Sequence, residues 1–462
     1  MVFRRGGGAL PTCLRWLLAL WLAGAGGTAL AQDAGGPALP DEPASAAPAP
    51  AGPVDDFAGQ RKQAELLMVR NRFDEARDRL LALEKQRPRD EQVQFLLGLL
   101  ALQAKDYADA IARFHRVLVW QPKAVRVRLE LGRAYFESGD YFDAERQFQF
   151  ARAGRLPPVV LANVDHYLNA IRELKTLSFG LSFAIAPDSN LNAGPAIDSV
   201  SLYGLPFTLS QTAKANSGVG LALDASAEWS PRLAKRFKWR NGVVLHRSQY
   251  RETLFDDMTL TAYSGPHVTL KRWDLNLLGN VSRRWYGDRL YTDSHGVSLD
   301  ATYYLSTRLG VTSGGALSHI AYALNPQQSG MGRSLTLGVF YVPTPASVVR
   351  ATANFAWQGA GDPTLANHAL QLGLSYSREF KGGISASLSP SYSRIAYEGF
   401  STGFGATRLD HQYTVQLGLL HRRIDWHGFT PRLLYTFTRN DSDIALYSFT
   451  RNRVEFGLTR AF

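Results

Sequence analysis

His246 and Ser248 stand two residues apart, so a strand would bring both onto one face, where the imidazole could serve as base toward the hydroxyl. Such catalysis needs a third group to orient the base, and no carboxylate lies on the same candidate strand, 237–250. Two polar residues on one face are what any water-filled interior shows. Asp188, Ser189, Asn190 and Asn192 begin like a calcium loop, with oxygen side chains at alternate positions. Ala193 then stands where the loop needs glycine and Ser199 where it needs a bidentate glutamate, so no metal is expected. Instead, Pro187 and these Asp and Asn side chains should turn the chain sharply into a long loop through side-chain-to-backbone bonds. Asp441 and Asp443 read as a solvated loop tip. The chain carries no phosphate loop, zinc-protease helix motif or serine-elbow pentapeptide, and its one cysteine, Cys13, lies near the start. These residues predict no catalytic site and no cofactor.

The elements that position them change period at residue 177. Beyond it, Val219, Leu221, Leu223, Ala225, Ala227 and Trp229 alternate with Gly218, Gly220, Ala222, Asp224, Ser226 and Glu228. Segments of about ten residues with one apolar face, small or polar residues opposite and aromatic ends are the pattern of an outer-membrane strand. Fourteen candidates occur, near 177–187, 217–229, 237–250, 259–270, 274–285, 296–305, 308–322, 334–342, 348–358, 368–378, 384–397, 412–421, 430–439 and 453–462. Tight turns near 306–307, 343–346 and 380–383 alternate with longer polar stretches at 188–216, 251–258, 323–331, 359–366, 398–410 and 440–448. An even strand number returns both ends to one side of the membrane, and Phe462 ends the strand that closes the barrel. Arg460 interrupts that strand's apolar series at the membrane border, where its cost is small. Arg247, Arg283 and Arg394 are expected in the lumen, making it positive. A soluble sandwich or propeller is the competing reading, which the loop alternation and the aromatic strand ends disfavour.

Residues 57–176 follow a helical period and repeat every 34 positions: Ala76, Ala110 and Ala144; Pro88 and Pro122; Gly98 and Gly132; Phe114 and Phe148. A 34-residue unit of two helices is the tetratricopeptide array. Small residues let the helices approach, the rings fill the gap between pairs, and the prolines end second helices. Three repeats, near 57–89, 90–123 and 124–157, are closed by an amphipathic helix over 159–175 bearing Val160, Val164, Tyr167, Leu168, Ile171 and Leu174. Such arrays present a concave surface to a peptide or protein. Gln92, Leu99, Gln103, Arg126, Arg133 and Glu137 are expected to face it.

Ahead of the repeats, Arg4, Arg5 and Arg15 precede a short apolar run and Ala29-Leu30-Ala31, the pattern of a secretory signal peptide over 1–31. Residues 32–56, almost all Ala, Pro, Gly and acidic, form a flexible linker. Lys and Arg outnumber Asp and Glu by 51 to 40 without any long basic block, so no nucleic-acid partner is implied. The expected architecture is an N-terminal α-solenoid of tetratricopeptide repeats followed, over 177–462, by a 14-stranded antiparallel transmembrane β-barrel.

With this architecture, the junction Leu177-Ser-Phe-Gly-Leu-Ser-Phe-Ala-Ile-Ala-Pro-Asp-Ser-Asn-Leu-Asn192 and the closing segment 451–462 resemble the surface lipoprotein assembly modifier family, also called modulators. The resemblance covers nearly all of the chain after the signal peptide. It implies an outer-membrane protein whose repeat domain lies in the periplasm and which delivers lipoproteins, or secreted haem- or iron-acquisition proteins, to the cell surface. The implied partners are that client, periplasmic chaperones, outer-membrane lipid, and the barrel-assembly machinery during biogenesis. Pro187, Asp188, Ser189, Asn190 and Asn192 are the family-like junction motif. The alternative is a polysaccharide-export or diffusion porin with a periplasmic tetratricopeptide domain; polymer passage would want a lumen dense in charge and a longer array.

Overall fold

The computed structural model describes residues 56–424 and 429–461, so the signal peptide, linker residues 32–55 and Phe462 lie outside the described residues. The described residues divide into two compact units at the boundary between Lys105 and Asp106.

In the first unit, α1 (Phe57–Val69), α2 (Phe73–Gln86) and α3 (Glu91–Gln103) pack around Met68, Ala76, Leu80, Leu83, Val93 and Leu97. Asp90 begins α3 by accepting the Val93 N–H at 2.9 Å, which satisfies one of the free donors at the helix start.

The second unit opens with α4 (Tyr107–Trp120), α5 (Val125–Ser138), α6 (Tyr141–Arg152) and α7 (Pro158–Leu174). Asp106 and Asp140, one repeat apart, cap α4 and α6 through the N–H groups of Asp109 at 3.1 Å and Asp143 at 3.0 Å. Gly139, at φ 87°, ends α5 in the left-handed conformation that side chains disfavour. A Cβ on Gly132 would stand 3.1 Å from the buried Phe148 ring, so this glycine sets how closely α5 and α6 approach. Helix α7 covers the last pair with Val164, Leu168 and Ile171, and Tyr167 stacks on Phe148 at 4.9 Å. Leu174, expected on that face, is exposed, because it lies in the last turn where the helix gives way to the first strand.

Seventeen strands follow among the described residues: β1 (Leu177–Asp188), β2 (Ser199–Leu202), β3 (Leu205–Thr208), β4 (Gly218–Trp229), β5 (Arg232–Ala234), β6 (Phe237–Tyr250), β7 (Asp257–Thr269), β8 (Trp273–Tyr286), β9 (Arg289–Tyr304), β10 (Leu309–Tyr322), β11 (Gly330–Thr344), β12 (Ser347–Gln358), β13 (Asn367–Glu379), β14 (Ile384–Ser401), β15 (Ala406–His421), β16 (Thr430–Ser442) and β17 (Phe449–Ala461). All but β2, β3 and β5 form one antiparallel ring of 14, closed where β1 pairs with β17 on one side and β4 on the other. Closure leaves no edge strand, so every strand finds backbone partners without water. Leu177, Phe179, Phe183 and Ile185 of β1 point outward and are exposed; Gly180, Ser182 and Ala184 face the lumen. That apolar exterior is what a hydrocarbon surround requires.

Two connections differ from the expected pattern. Tyr286 and Arg289 are joined by Gly287 and Asp288, both at positive φ, a tight hairpin where a ten-residue connection was expected. Strands β14 and β15 run on through residues 398–410, leaving a four-residue turn at 402–405, with a register shift between Ala396 and Phe400. In both places the strands extend past the apolar band, where both faces become polar and alternation disappears from the sequence.

Candidate functional site

The six expected client-facing residues lie on α3 and α5, three on each. Gln92 and Gln103 are exposed on α3 and Leu99 is half-buried. On α5, Arg126, Arg133 and Glu137 share one stripe with Glu130, and Arg133 donates to Glu137 at 2.7 Å. Burial pushes the Glu130 carboxyl above its ordinary range, against the pull of Arg133 and Arg126. The α5 stripe is therefore mixed in charge.

Where the helices meet the short-turn end of the barrel, α5 carries a fully buried arginine. Arg128 donates to the Pro122 carbonyl, to Gln147 at 2.9 Å and to Glu379, at the end of β13, at 2.5 Å. Glu379 also faces Arg422, at 3.5 Å, on the β15–β16 turn. Burial, and then repulsion from Arg146, lowers the Arg422 pKa to about 10. Beside this network the Gly382 N–H donates to the Val119 carbonyl at 2.7 Å. Together these bonds latch α4 and α5 onto the turns that follow β13 and β15. Nearby, burial lowers the His115 pKa to about 4, while its Nε2 lies 2.6 Å from the Tyr135 hydroxyl.

At the long-loop end the junction motif forms a clasp. Asp188, 4% exposed, pairs with Arg451 of β17 at 2.5 Å and accepts the Asn190 N–H at 3.0 Å. Asn190, 1% exposed, donates to the carbonyls of Gly194 and Thr450 and accepts from the Gly194 N–H. Ser189 exchanges bonds with Asn452, and Asn192 donates to the Thr212 and Lys214 carbonyls. Pro187 ends the outward face of β1 opposite Val219. The motif thus ties the 190–216 loop to the closing strand, and Asp188 is already committed to a guanidinium. No cluster of metal-ligating side chains occurs among the described residues. The β2–β3 hairpin of that loop reaches the β14–β15 turn, where the Tyr203 N–H donates to the Gly403 carbonyl at 2.6 Å.

In the lumen, the third group missing near His246 in sequence is supplied by the next strand: Asp224 Oδ1 lies 2.5 Å from His246 Nδ1. Ser248 accepts from Arg453 at 3.2 Å, and no hydrogen bond joins it to His246 among the described residues, so the nucleophile–base contact is missing. Arg247, Arg283 and Arg394 are not lumenal. Register places them opposite the outward-facing Leu223, Leu260 and Leu370, near the long-loop end. Charges there cost about 0–1 kcal/mol, and Arg283 is also paired with Asp293 at 2.6 Å. Among the described residues, the lumen-facing arginines include Arg240, Arg284, Arg350, Arg432, Arg451 and Arg453, balanced in part by Asp188, Asp224, Glu228, Asp257 and Glu455. On the outer face, Arg460 lies over the Phe429 ring, 5.7 Å from its centre.

Comparison with known families gives the barrel a relationship. Residues 178–462 match the surface lipoprotein assembly modifier family, and residues 61–118 and 101–150 match tetratricopeptide repeats. The chain belongs to the surface lipoprotein assembly modifier family. It is 25% identical over 378 residues to surface lipoprotein assembly modifier 1 of Neisseria meningitidis serogroup B, covering 78% of this chain and 74% of that one. The modifier of Moraxella catarrhalis is 23% identical over 390 residues, covering 83% of this chain and 76% of that one. Among solved structures, the outer-membrane channel DcaP of Acinetobacter baumannii aligns with 62% of this chain and 97% of its own, at 8% identity and a TM-score of 0.37. A closed 14-strand ring with an apolar exterior makes this family member an outer-membrane barrel.

The match to the modifier family contains the clasp, Glu379 and Arg422, while Arg128 lies in the matched repeats. Sequence reading missed the latch, although a signal existed. Arg128 stands one repeat after Gln94, and both are buried and donate to the proline carbonyl six residues earlier. A charged residue at a buried, repeat-equivalent position demands a partner from elsewhere.

Proposed function

We propose that this protein delivers lipoproteins from the periplasm to the cell surface. The observation that carries the proposal is the family match across the whole barrel, joined to a helical array latched at one mouth. On this reading the short-turn end and its helices face the periplasm. The faces bearing Gln92, Leu99 and Gln103, and Arg126, Arg133 and Glu137, engage the client or a chaperone that carries it. The clasp formed by Pro187, Asp188, Ser189, Asn190 and Asn192 holds the first surface loop against the closing strand. This reading assigns delivery no catalytic step, in keeping with a family of assembly modifiers.

The test is protease shaving of intact cells, with and without this chain, followed by mass spectrometry. One or a few lipoproteins should vanish from the surface while persisting inside, and expression of the wild-type chain should restore them. An unchanged surface proteome, with a polymer or small solute failing to cross, would replace this reading with the porin alternative.

A further inference from the structure

Between α6, α7 and the short-turn rim running from β4 to β9 lies a cleft of about 1070 Å³. Ser178, Glu228, Arg240 and Asn276 line it from the lumen-facing sides of their strands, opposite the exposed Trp229 and Trp239, so the cleft opens into the aqueous interior. Ten lysines and arginines line it against four carboxylates. All four carboxylates are already engaged: Asp165 with Arg152 at 3.5 Å, Glu145 with Lys175 at 3.9 Å, Glu228 with Arg240 at 2.6 Å and Asp274 with His267 at 2.7 Å. Lys235 and Arg236 on the β4–β6 turn, and Lys271 and Arg272 on the β7–β8 turn, have no carboxylate partner among the described residues.

We infer that this cleft is a portal into the lumen that takes an acidic, extended stretch of polypeptide. The inference rests on the surface-delivery reading above and names the chemistry of the segment that enters first. The cations without a carboxylate partner are spread over two turns, with Arg172, which donates to Asn169, added by α7, and do not converge on one point. A single phosphate would reach few of them; carboxylates spaced along a chain reach them in succession. A polar floor lined by Glu228 and Asn276 disfavours a lipid tail. In ring order the latch turns after β13 and β15 lie four to six strands away from the β4–β6 and β7–β8 turns. The latch holds α4 and α5 against one arc of the mouth, while α6 and α7 wall the basic gap on another, where excess positive charge raises the encounter rate with acidic chains.

The test is fluorescence anisotropy of a fluorescein-labelled decaglutamate peptide titrated with the full-length protein in detergent micelles. Lys235→Glu with Lys271→Glu should weaken binding at least tenfold. Arg251→Glu with Arg289→Glu, the same charge change at the long-loop end, should weaken it less than threefold. Binding to the wild type should also fall as salt rises. If the charge-reversed portal variant fails to fold, Lys235→Gln with Lys271→Gln should still weaken binding at least threefold. Unchanged affinity in the portal variants, or equal loss in the control, overturns the portal. So does binding to phosphatidylglycerol vesicles that exceeds peptide binding and is lost in the portal variant. Lost surface lipoproteins in cells lacking the chain, without peptide binding, would sink the portal alone. Peptide binding with an unchanged surface proteome would sink the delivery reading alone.

Discussion

Replacing Glu379 by Gln tests the latch at its centre. The substitution keeps the shape but removes the one carboxylate shared by Arg128, whose side chain is 1% exposed, and Arg422. Breaking a buried ion pair from one side costs about 3–5 kcal/mol, because the remaining charge stays buried without a counter-ion. Arg128 keeps Gln147 and the Pro122 carbonyl, so the lower end, about 3 kcal/mol, is expected. That corresponds to a more than hundredfold rise in the opening of α4 and α5 from the rim. Native-state hydrogen exchange of the full-length protein in micelles reads it directly, at the Gly382 N–H that bonds Val119 and at the α5 amides. Exchange there should accelerate about a hundredfold while the β6–β9 amides stay protected. Adding Arg128→Met should recover part of the loss, since it removes the buried guanidinium that Glu379→Gln leaves without a counter-ion. Unchanged exchange in Glu379→Gln, or equal acceleration around the whole barrel, would refute the reasoning.

Other expected outcomes follow from the same geometry. His115 has a folded-state pKa of about 4 against 6.5 unfolded, so its contribution is complete above pH 6.5 and is lost as pH falls toward 4. Partial exposure of the residue reduces the loss to about 2 kcal/mol; circular dichroism melts across that range should show a slope that His115→Gln flattens. Asp188→Ala should cost about 3 kcal/mol in guanidinium unfolding, because it strands Arg451 and uncaps Asn190. Removing the exposed Arg439–Asp441 pair should cost about 0.5 kcal/mol or less, and equal losses would contradict the clasp. Gly132→Leu should destabilise the helices by about 1–3 kcal/mol by driving a side chain into the Phe148 ring, seen as an earlier helical melt with the barrel transition unmoved.

How much of this was legible in the sequence depended on how many residues shared one constraint. Strands such as β4 declared themselves because Val219 to Trp229 must alternate between hydrocarbon and water along their whole length. The 34-residue spacing of Ala76, Ala110 and Ala144 was legible for the same reason, each filling an identical place between paired helices. Single charges carried no such redundancy. Arg247, Arg283 and Arg394 continue the parity of the outward-facing Val243, Val281 and Leu388 in their own strands, so counting along each strand places them outside; the expectation of a lumenal site followed their charge instead of the phase of the alternation. The latch joins residues 251 positions apart, and no local pattern links Arg128 to Glu379. Asp224 was also beyond any local pattern with His246, 22 residues away and in register only once β4 and β6 pair. The junction motif was the exception, because the short bonds of Asp188 and Asn190 to nearby backbone follow from residue type.

The most direct test of delivery to the surface is reconstitution of this chain alone in liposomes, oriented with the helices outward. A fluorescent lipoprotein held soluble by a periplasmic carrier is supplied outside. Delivery predicts that the lipoprotein becomes protected from added protease, only in vesicles containing the chain, and is digested again once detergent opens them. Vesicles that pass small solutes or polymer while the lipoprotein stays outside and protease-sensitive would contradict it.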